Sequence, residues 1–282
     1  MAESTQTTAA RLSALDTPAS RLCVGIDPHA QTLGDWGLRD SAEGVVEFGA
    51  RLIDACVTAG ISVIKPQVAL YERHGVAGMR ALAQHIGTAR QAGLIVIADA
   101  KRGDIGSSLE GYADAWLGTG RDWESDGVTL NPFLGVGALE GAFEVALNYG
   151  KAVFVLAATS NPESETLQSA RTSFGHSVSQ AILHDLHERF ERSGASHDWL
   201  GAVVGATVDI DARGIEWESS GNIPLLAPGF GYQGAQLADL AQQFGSATHR
   251  VIPAVSRSVA GSTLEGLDHR IEDHLEELRR VV

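Results

Sequence analysis

Charged residues crowd the stretch IADAKRGDIGSS at positions 97–108, directly after an apolar run. Asp99, Lys101, Arg102 and Asp104 all fall within it. Residues two apart on a strand point to the same side, so we expect Asp99 and Lys101 to face one volume and Arg102 to face away from it. Flanking carboxylates favour the charged form of an ammonium. This pattern therefore suits a lysine that stays protonated and can donate a proton.

Eight short apolar runs alternate with longer amphipathic segments along the 282 residues. The runs are rich in β-branched residues and continuous rather than alternating, which is typical of parallel strands buried on both faces. Gly60, Gly93 and Gly150 follow helical segments, where they fit C-terminal caps. The pattern predicts an α/β fold, a (β/α)8 TIM barrel in a single domain, and the alternative is an open doubly wound sheet.

Some segments of the predicted barrel carry more specific expectations. Residues 1–18 are expected to be a loosely ordered N-terminal extension, and residues 19–282 the catalytic barrel. The spacing predicts a long helical region over about 164–193, with a candidate mobile loop near 160–175. It also predicts a helix over VDIDARGIEWESS at 208–220.

Polar side chains follow most of the predicted strands, at the end where barrels of this type carry their active sites. In chain order they are Asp27, Lys65, Asp99 with Lys101, Thr129 with Asn131, and Ser160. One interpretation is an ion-pair network that closes the top of the barrel. Buried charges are costly unless paired, and apolar residues would stabilise the barrel more simply, so a chemical role is favoured.

Two further segments predict a phosphate site. GFGYQG at 229–234 lies between the seventh strand and a helix, where glycines let backbone N–H groups approach an anion. Arg257 follows the eighth strand and adds a cation that can bind phosphate through two hydrogen bonds. The loops after strands seven and eight bind phosphate in many (β/α)8 barrels.

The composition narrows the function classes. The net charge of −14, from 21 basic and 35 acidic residues, disfavours nucleic-acid binding and binding to anionic membranes. Cys23 and Cys56 lie in apolar segments and are expected to be buried thiols. No stretch approaches the roughly 20 apolar residues of a membrane span, and no signal-peptide pattern is visible, so a cytoplasmic location is expected. The motifs HExxH, CxxC and GxSxG, which would indicate a metal or a nucleophile, do not occur.

The segment from Asp99 to Ile105 resembles the DxKxxDI signature of the orotidine 5′-phosphate decarboxylase family. VIKPQ with Lys65 and GIDP with Asp27 are similar to the family's second and first strands, and APGFGYQG and SRS to its phosphate segments. The likeness runs from about residue 20 to 257, and KPQ, TSNP and GFGYQG resemble the longer-chain bacterial (type 2) subgroup. Ser108 and Ser256 depart from the Thr and Gly of many members, which affects details of the ribose and phosphate contacts.

The resemblance implies decarboxylation of orotidine 5′-phosphate to uridine 5′-phosphate in pyrimidine biosynthesis, by a homodimer, without cofactor or metal. It implies that Lys101 protonates C6 of the pyrimidine, within a charged array completed by Lys65, Asp99 and the Asp104 of a partner subunit. It further implies a set of substrate-binding residues: Asp27 and Lys65 at the ribose, Ser160 at the pyrimidine amide edge, Gly231, Gln233 and Arg257 at the phosphate, and Ser108 and Asn131 nearby. The stretch near 160–173, or GYQGAQ, is expected to close over the ring.

Three alternatives stay open. Related barrels with a similar DxKxxD core act on sugar phosphates with Mg²⁺. A catalytically silent member would only bind a nucleotide. An aldolase would form a Schiff base on Lys65 or Lys101, but this needs a neutral amine, and the flanking carboxylates oppose it.

Overall fold

A closed barrel of eight parallel strands in chain order forms the centre of the computed structural model, which describes residues 6–195 and 198–281. The strands are β1 Cys23–Ile26, β2 Val63–Pro66, β3 Ile95–Arg102, β4 Gly127–Leu130, β5 Ala152–Ala158, β6 Leu200–Val204, β7 Leu225–Pro228 and β8 Val251–Val255. Strand β1 pairs with β8 through Cys23 and Ala254, which closes the barrel and rules out the open sheet. The predicted TIM barrel is confirmed.

Helices surround this barrel. They are α1 Thr8–Ser13, α2 Pro18–Arg21, α3 Ala30–Asp35, α4 Ala42–Thr58, α5 Val68–Glu72, α6 Gly75–Gln91, α7 Gly106–Leu117, α8 Glu140–Tyr149, α9 Ser164–Gln168, α10 Val178–Ser193, α11 Leu240–Phe244, α12 Arg257–Ala260 and α13 Leu267–Arg279; 3₁₀ turns cover Val136–Leu139, Trp217–Ser220, Leu237–Asp239 and Gly245–Arg250. None of them is long and apolar enough to cross a membrane. Gly60, Gly93 and Gly150 have positive φ at helix ends, as predicted.

The two faces of the strands bury separate apolar clusters. Inside the barrel, Cys23, Phe154 and Ile252 belong to one cluster, and the outer faces pack against the helices in the other. Cys56 lies in the outer cluster. Burial raises the pKa of both thiols to about 12, so the prediction of two buried thiols is confirmed.

Helix α1 closes the N-terminal end of the barrel. Leu12 is 4 % exposed and belongs to the interior cluster, and the Thr8 amide donates to the Gly150 carbonyl at 3.0 Å. Apolar side chains of Thr8–Ser13 therefore bury against the barrel, while the expectation that residues 1–18 are a loosely ordered extension stays a prediction. Residues 1–5 lie outside the described part, and the division between residues 18 and 19 stays a prediction.

Two of the predicted helices differ in the structure. The region 164–193 is interrupted between α9 and α10 by a turn in which Arg171 bridges to Ser177 and Gly175 has positive φ. Residues 208–216 form a turn over 210–214 with a bend and irregular segments beside it, and only Trp217–Ser220 is helical, as a 3₁₀ turn, so the helix predicted over 208–220 is wrong. The Asp209 side chain accepts a hydrogen bond from the Ala212 amide at 2.9 Å, an arrangement that competes with helix formation.

Candidate active site

A cavity of about 380 Å³ opens at the C-terminal ends of the strands, a volume suited to a small ligand. Seven of the residues predicted from the sequence line it: Asp27, Lys65, Asp99, Lys101, Ser160, Gln233 and Arg257. They come from β2 and β3 and from the segments after β1, β5, β7 and β8. The barrel therefore gathers onto one surface residues that are up to 230 positions apart in the chain.

Asp99 is the centre of a charged array in this cavity. Its Oδ2 accepts a hydrogen bond from Lys65 Nζ at 2.8 Å, and its Oδ1 accepts one from Lys101 Nζ at 2.8 Å. The Thr129 hydroxyl donates to Oδ1 as well, at 2.8 Å. Gln67 Oε1 accepts a second, longer bond from Lys101 Nζ at 3.4 Å. One carboxylate therefore holds two ammonium groups in fixed places.

The array is charged, although most of it is buried. Burial alone lowers the pKa of Lys65, but the carboxylates of Asp99 and Asp27 more than reverse this and raise that pKa above its ordinary value. Burial likewise opposes charge on Asp99, yet Lys65 and Lys101 hold its pKa well below the usual range. The Lys65 and Asp99 side chains are only 7 % and 10 % exposed, whereas Lys101 is 43 % exposed. Lys101 is thus the ammonium that a ligand can reach most freely.

Lys101 has an unusual backbone conformation. Its φ is 48°, the one positive value at a non-glycine residue within residues 6–195 and 198–281. Such a conformation costs about 1–3 kcal/mol and persists where the surrounding contacts determine it. The pairing of β3 with β4 loses its register between Ala98 and Arg102. The side chains of Asp99 and Lys101 do meet, as predicted, but through this irregularity rather than through a regular pleat.

The opposite side of the cavity contains the predicted phosphate segments. The guanidinium of Arg257 lies 3.6 Å from the centre of the Tyr232 ring, in cation–π contact. The Ser160 hydroxyl donates to Gln233 Oε1 at 3.3 Å. Gly231 has a φ of 75°, and a Cβ there would lie 2.4 Å from the Ser258 hydroxyl, so the loop requires glycine at this position. A cation and an amide therefore face the cavity, away from the Asp99 array.

Asp27 lies on the β1 side with an unused acceptor. Its Oδ2 accepts a hydrogen bond from the Ser256 hydroxyl at 2.5 Å. Its Oδ1 is buried and has no hydrogen-bond partner in the described chain. A buried acceptor without a partner is costly, so this oxygen is suited to accept from a ligand hydroxyl. No three His, Cys, Asp or Glu side chains among the described residues lie close enough together to hold a metal ion.

The sequence matches the family model described as "Orotidine 5'-phosphate decarboxylase / HUMPS family" over residues 20–265. The chain belongs to this family. Proteins named orotidine 5′-phosphate decarboxylase are similar to it over most of its length. The one from Corynebacterium efficiens is 42 % identical over 261 residues, which cover 90 % of both chains, and the one from Streptomyces coelicolor is 43 % identical over 240 residues, which cover 84 % of both. A crystal structure described as such an enzyme, from Streptomyces avermitilis, superposes with a TM-score of 0.90 at 41 % identity and covers 99 % of this chain and 97 % of its own.

Four residues that the resemblance to the decarboxylase family had implied do not line the cavity of the chain as described. Asp104 accepts a hydrogen bond from its neighbouring Ile105 amide at 2.8 Å, and Ser108 is exposed on α7. Asn131 is exposed and accepts from the Phe133 amide at 3.1 Å. The amide of Gly231 donates to the Ala235 carbonyl at 2.8 Å. Their roles in the decarboxylase family's site stay predictions.

The structure adds site residues that the sequence did not single out. Thr129 was recognised only as a polar strand end, yet its buried hydroxyl contacts both Asp99 and Lys101. Gln67 contacts Lys101 and Tyr232 contacts Arg257. Ser256, noted from the sequence only as a departure from the family's glycine, contacts Asp27. Their positions beside the motif residues were visible in the sequence. Their contacts depend on side-chain directions, which spacing alone does not give.

Proposed function

We propose that this chain decarboxylates orotidine 5′-phosphate to uridine 5′-phosphate and CO₂. The observation that carries the proposal is the array in which Asp99 binds both Lys65 and Lys101 at 2.8 Å, with Lys101 the more exposed ammonium. Loss of CO₂ from C6 leaves a carbanion in the plane of the ring, which the π-system does not delocalise. A fixed ammonium beside that carbon stabilises the charge and then delivers the proton.

The carboxylate of Asp99 has two effects in this mechanism. It keeps Lys101 in place through the 2.8 Å hydrogen bond. It would also lie near the carboxylate of the substrate, where like charges disfavour the ground state relative to the transition state. Both oxygens of Asp99 already accept hydrogen bonds from ammonium groups or from Thr129, so the carboxylate acts here as an ion-pair partner.

The substrate spans the cavity in this proposal. Ser160 contacts the pyrimidine amide edge. Asp27 accepts a hydrogen bond from a ribose hydroxyl, and Lys65 donates one to a ribose hydroxyl. The phosphate lies against Gln233 and Arg257. The buried Oδ1 of Asp27 supports the ribose contact, because none of the described residues donates a hydrogen bond to it. Closure of residues 160–173 or of GYQGAQ over the ring stays a prediction.

Replacing Arg257 with alanine is expected to raise KM by about 100-fold and to lower kcat by a smaller factor. The phosphate is remote from C6, so its binding energy is used both to hold the substrate and to organise the site around the ring. Steady-state decarboxylation kinetics would measure both constants. Tyr149→Ala, on the exposed outer surface of α8, is the control, and an unchanged KM in Arg257→Ala would remove Arg257 from the phosphate site.

A homodimer with a shared site is part of the proposal. Asp104 does not reach its own chain's array, and the loops around it expose apolar side chains: Ile105 is 62 %, Phe133 73 % and Leu134 54 % exposed. The two loops are adjacent, because a Cβ on Gly103 would lie 2.4 Å from the Asn131 carbonyl oxygen. An exposed apolar surface beside Asp104, whose carboxylate lies outside its own chain's array, is suited to contact a second copy of the chain. In such a dimer each chain would supply Asp104 to its partner's array. The cytoplasmic location stays a prediction of the sequence.

The direct test is an ultraviolet assay with orotidine 5′-phosphate and metal-free protein. We expect turnover that is unchanged by a chelator and by added Mg²⁺. Loss of activity with chelator and recovery with Mg²⁺ would favour the sugar-phosphate chemistry of related barrels. Tight binding of uridine 5′-phosphate without any turnover would indicate a silent nucleotide-binding protein instead.

A further inference from the structure

Thr129, at the end of β4, links the backbone of Lys101 to the carboxylate that binds the Lys101 side chain. Its hydroxyl accepts a hydrogen bond from the Lys101 amide at 2.9 Å and donates one to Asp99 Oδ1 at 2.8 Å. Lys101 Nζ donates to that same oxygen at 2.8 Å. The three bonds close a ring, in which one hydroxyl constrains both the backbone and the side chain of the lysine.

This ring of hydrogen bonds includes Lys101, whose backbone conformation is unfavourable for a residue other than glycine. Lys101 has left-handed backbone geometry, with a φ of 48°, in the irregular part of the β3–β4 pairing. A residue in that region relaxes unless its surroundings fix it. Thr129 is 1 % exposed, so solvent has little access to replace its hydroxyl. Relaxation of the backbone would move the Lys101 side chain relative to Asp99.

We propose that Thr129 is a positioning residue for the reaction: its hydroxyl fixes the left-handed backbone of Lys101 and orients Asp99, so that the ammonium is in place before the substrate binds. The inference deepens the proposed decarboxylation and rests on it. Thr129 acts through Lys101 and Asp99, and the phosphate contacts at Gln233 and Arg257 on the other side of the cavity do not depend on it.

Thr129→Val keeps the shape of the side chain and removes the hydroxyl, whereas Thr129→Ser keeps the hydroxyl. We expect kcat of the valine variant to fall by about 10- to 100-fold, since small misplacements of a reacting group have effects of this size. KM should stay within about 3-fold of the wild type, because phosphate binding is untouched. The serine variant should recover kcat to within about 3-fold of the wild type, since the ring of hydrogen bonds re-forms.

Thr8→Val provides a matched control at the opposite end of the barrel. Thr8 is also buried and also donates to a buried aspartate, Asp126, at 3.3 Å. The two valine variants lose the same kind of hydrogen bond, so both should lower the midpoint of thermal unfolding. Only Thr129→Val should lower kcat.

Hydrogen exchange of the peptide around Lys101, read by mass spectrometry, tests the positioning without relying on turnover. The Lys101 amide should exchange at least about 10-fold faster in Thr129→Val than in the wild type and in Thr129→Ser, since it loses its acceptor. Thr129→Ala replaces the valine variant if that one does not fold. Unchanged exchange, or full kcat in a folded hydroxyl-free variant, would overturn the inference, as would a loss of kcat that serine does not restore. An inactive wild type would refute the decarboxylase proposal, and the exchange data would still decide whether Thr129 holds Lys101.

Discussion

Replacing Lys101 with alanine is expected to lower kcat by ~10⁴-fold or more, since a general acid and a fixed opposite charge each contribute about two orders of magnitude or more. The more exposed ammonium of the array is lost, and Lys65 is held against Asp99 Oδ2 with a side chain only 7 % exposed. Lys65 is therefore poorly placed to replace Lys101 as the proton donor. Decarboxylation followed by ultraviolet absorbance would measure the loss.

The matched control for this variant is the next residue in the chain. Arg102→Ala also removes a cation from the end of β3, but the Arg102 guanidinium pairs with Glu72 and stacks near Tyr112, outside the cavity. We expect its kcat to stay within about 5-fold of the wild type. Circular dichroism and binding of uridine 5′-phosphate should show that Lys101→Ala keeps its fold and its phosphate site. Wild-type turnover in Lys101→Ala would contradict the role of the lysine as proton donor.

The barrel could be predicted because its signals are local and repeated. Continuous apolar runs such as LIVIA and the glycines after α4, α6 and α8 specify buried parallel strands and helix ends independently of one another. The segment 208–220 shows the limit of such signals. Its apolar spacing fits a helix, but the Asp209 side chain caps a turn at Ala212, and Gly214 adopts positive φ. Side-chain competition for backbone groups decided the outcome there.

In the candidate site, too, some features follow from local sequence signals and others depend on side-chain contacts. Strand ends gathered Asp27, Lys65, Asp99 and Lys101 into one cavity, because parallel strands present their C-terminal ends to one face. The conformation of Lys101 was not predictable from a period of two, since it depends on lost register with β4 and on the Thr129 hydroxyl. Neither the strand ends nor the spacing along β3 could predict where Asp104 acts, because the position proposed for it requires a second copy of the chain.

Mixed dimers of two inactive variants test the proposal that Asp104 enters the partner's array, because activity should appear only when the two chains are combined. Lys101→Ala and Asp104→Asn are each expected to be nearly inactive alone, because every site in either homodimer lacks one member of the array. Coexpression at equal levels should yield about one quarter of wild-type activity. Random pairing makes half of the dimers mixed, and each mixed dimer holds one site in which an intact Lys101 meets an intact Asp104 from its partner.

The control pairs Lys101→Ala with Asp99→Asn. Both residues line the same chain's cavity and contact each other at 2.8 Å, so no combination of these chains contains an intact site, and no recovery is expected. Differently tagged chains would allow the mixed dimers to be purified, where half of the wild-type activity should appear. Full activity of Asp104→Asn alone would show that Asp104 is dispensable. Inactive mixed dimers would show that Asp104 serves its own chain, which would require the loop after β3 to move into the cavity.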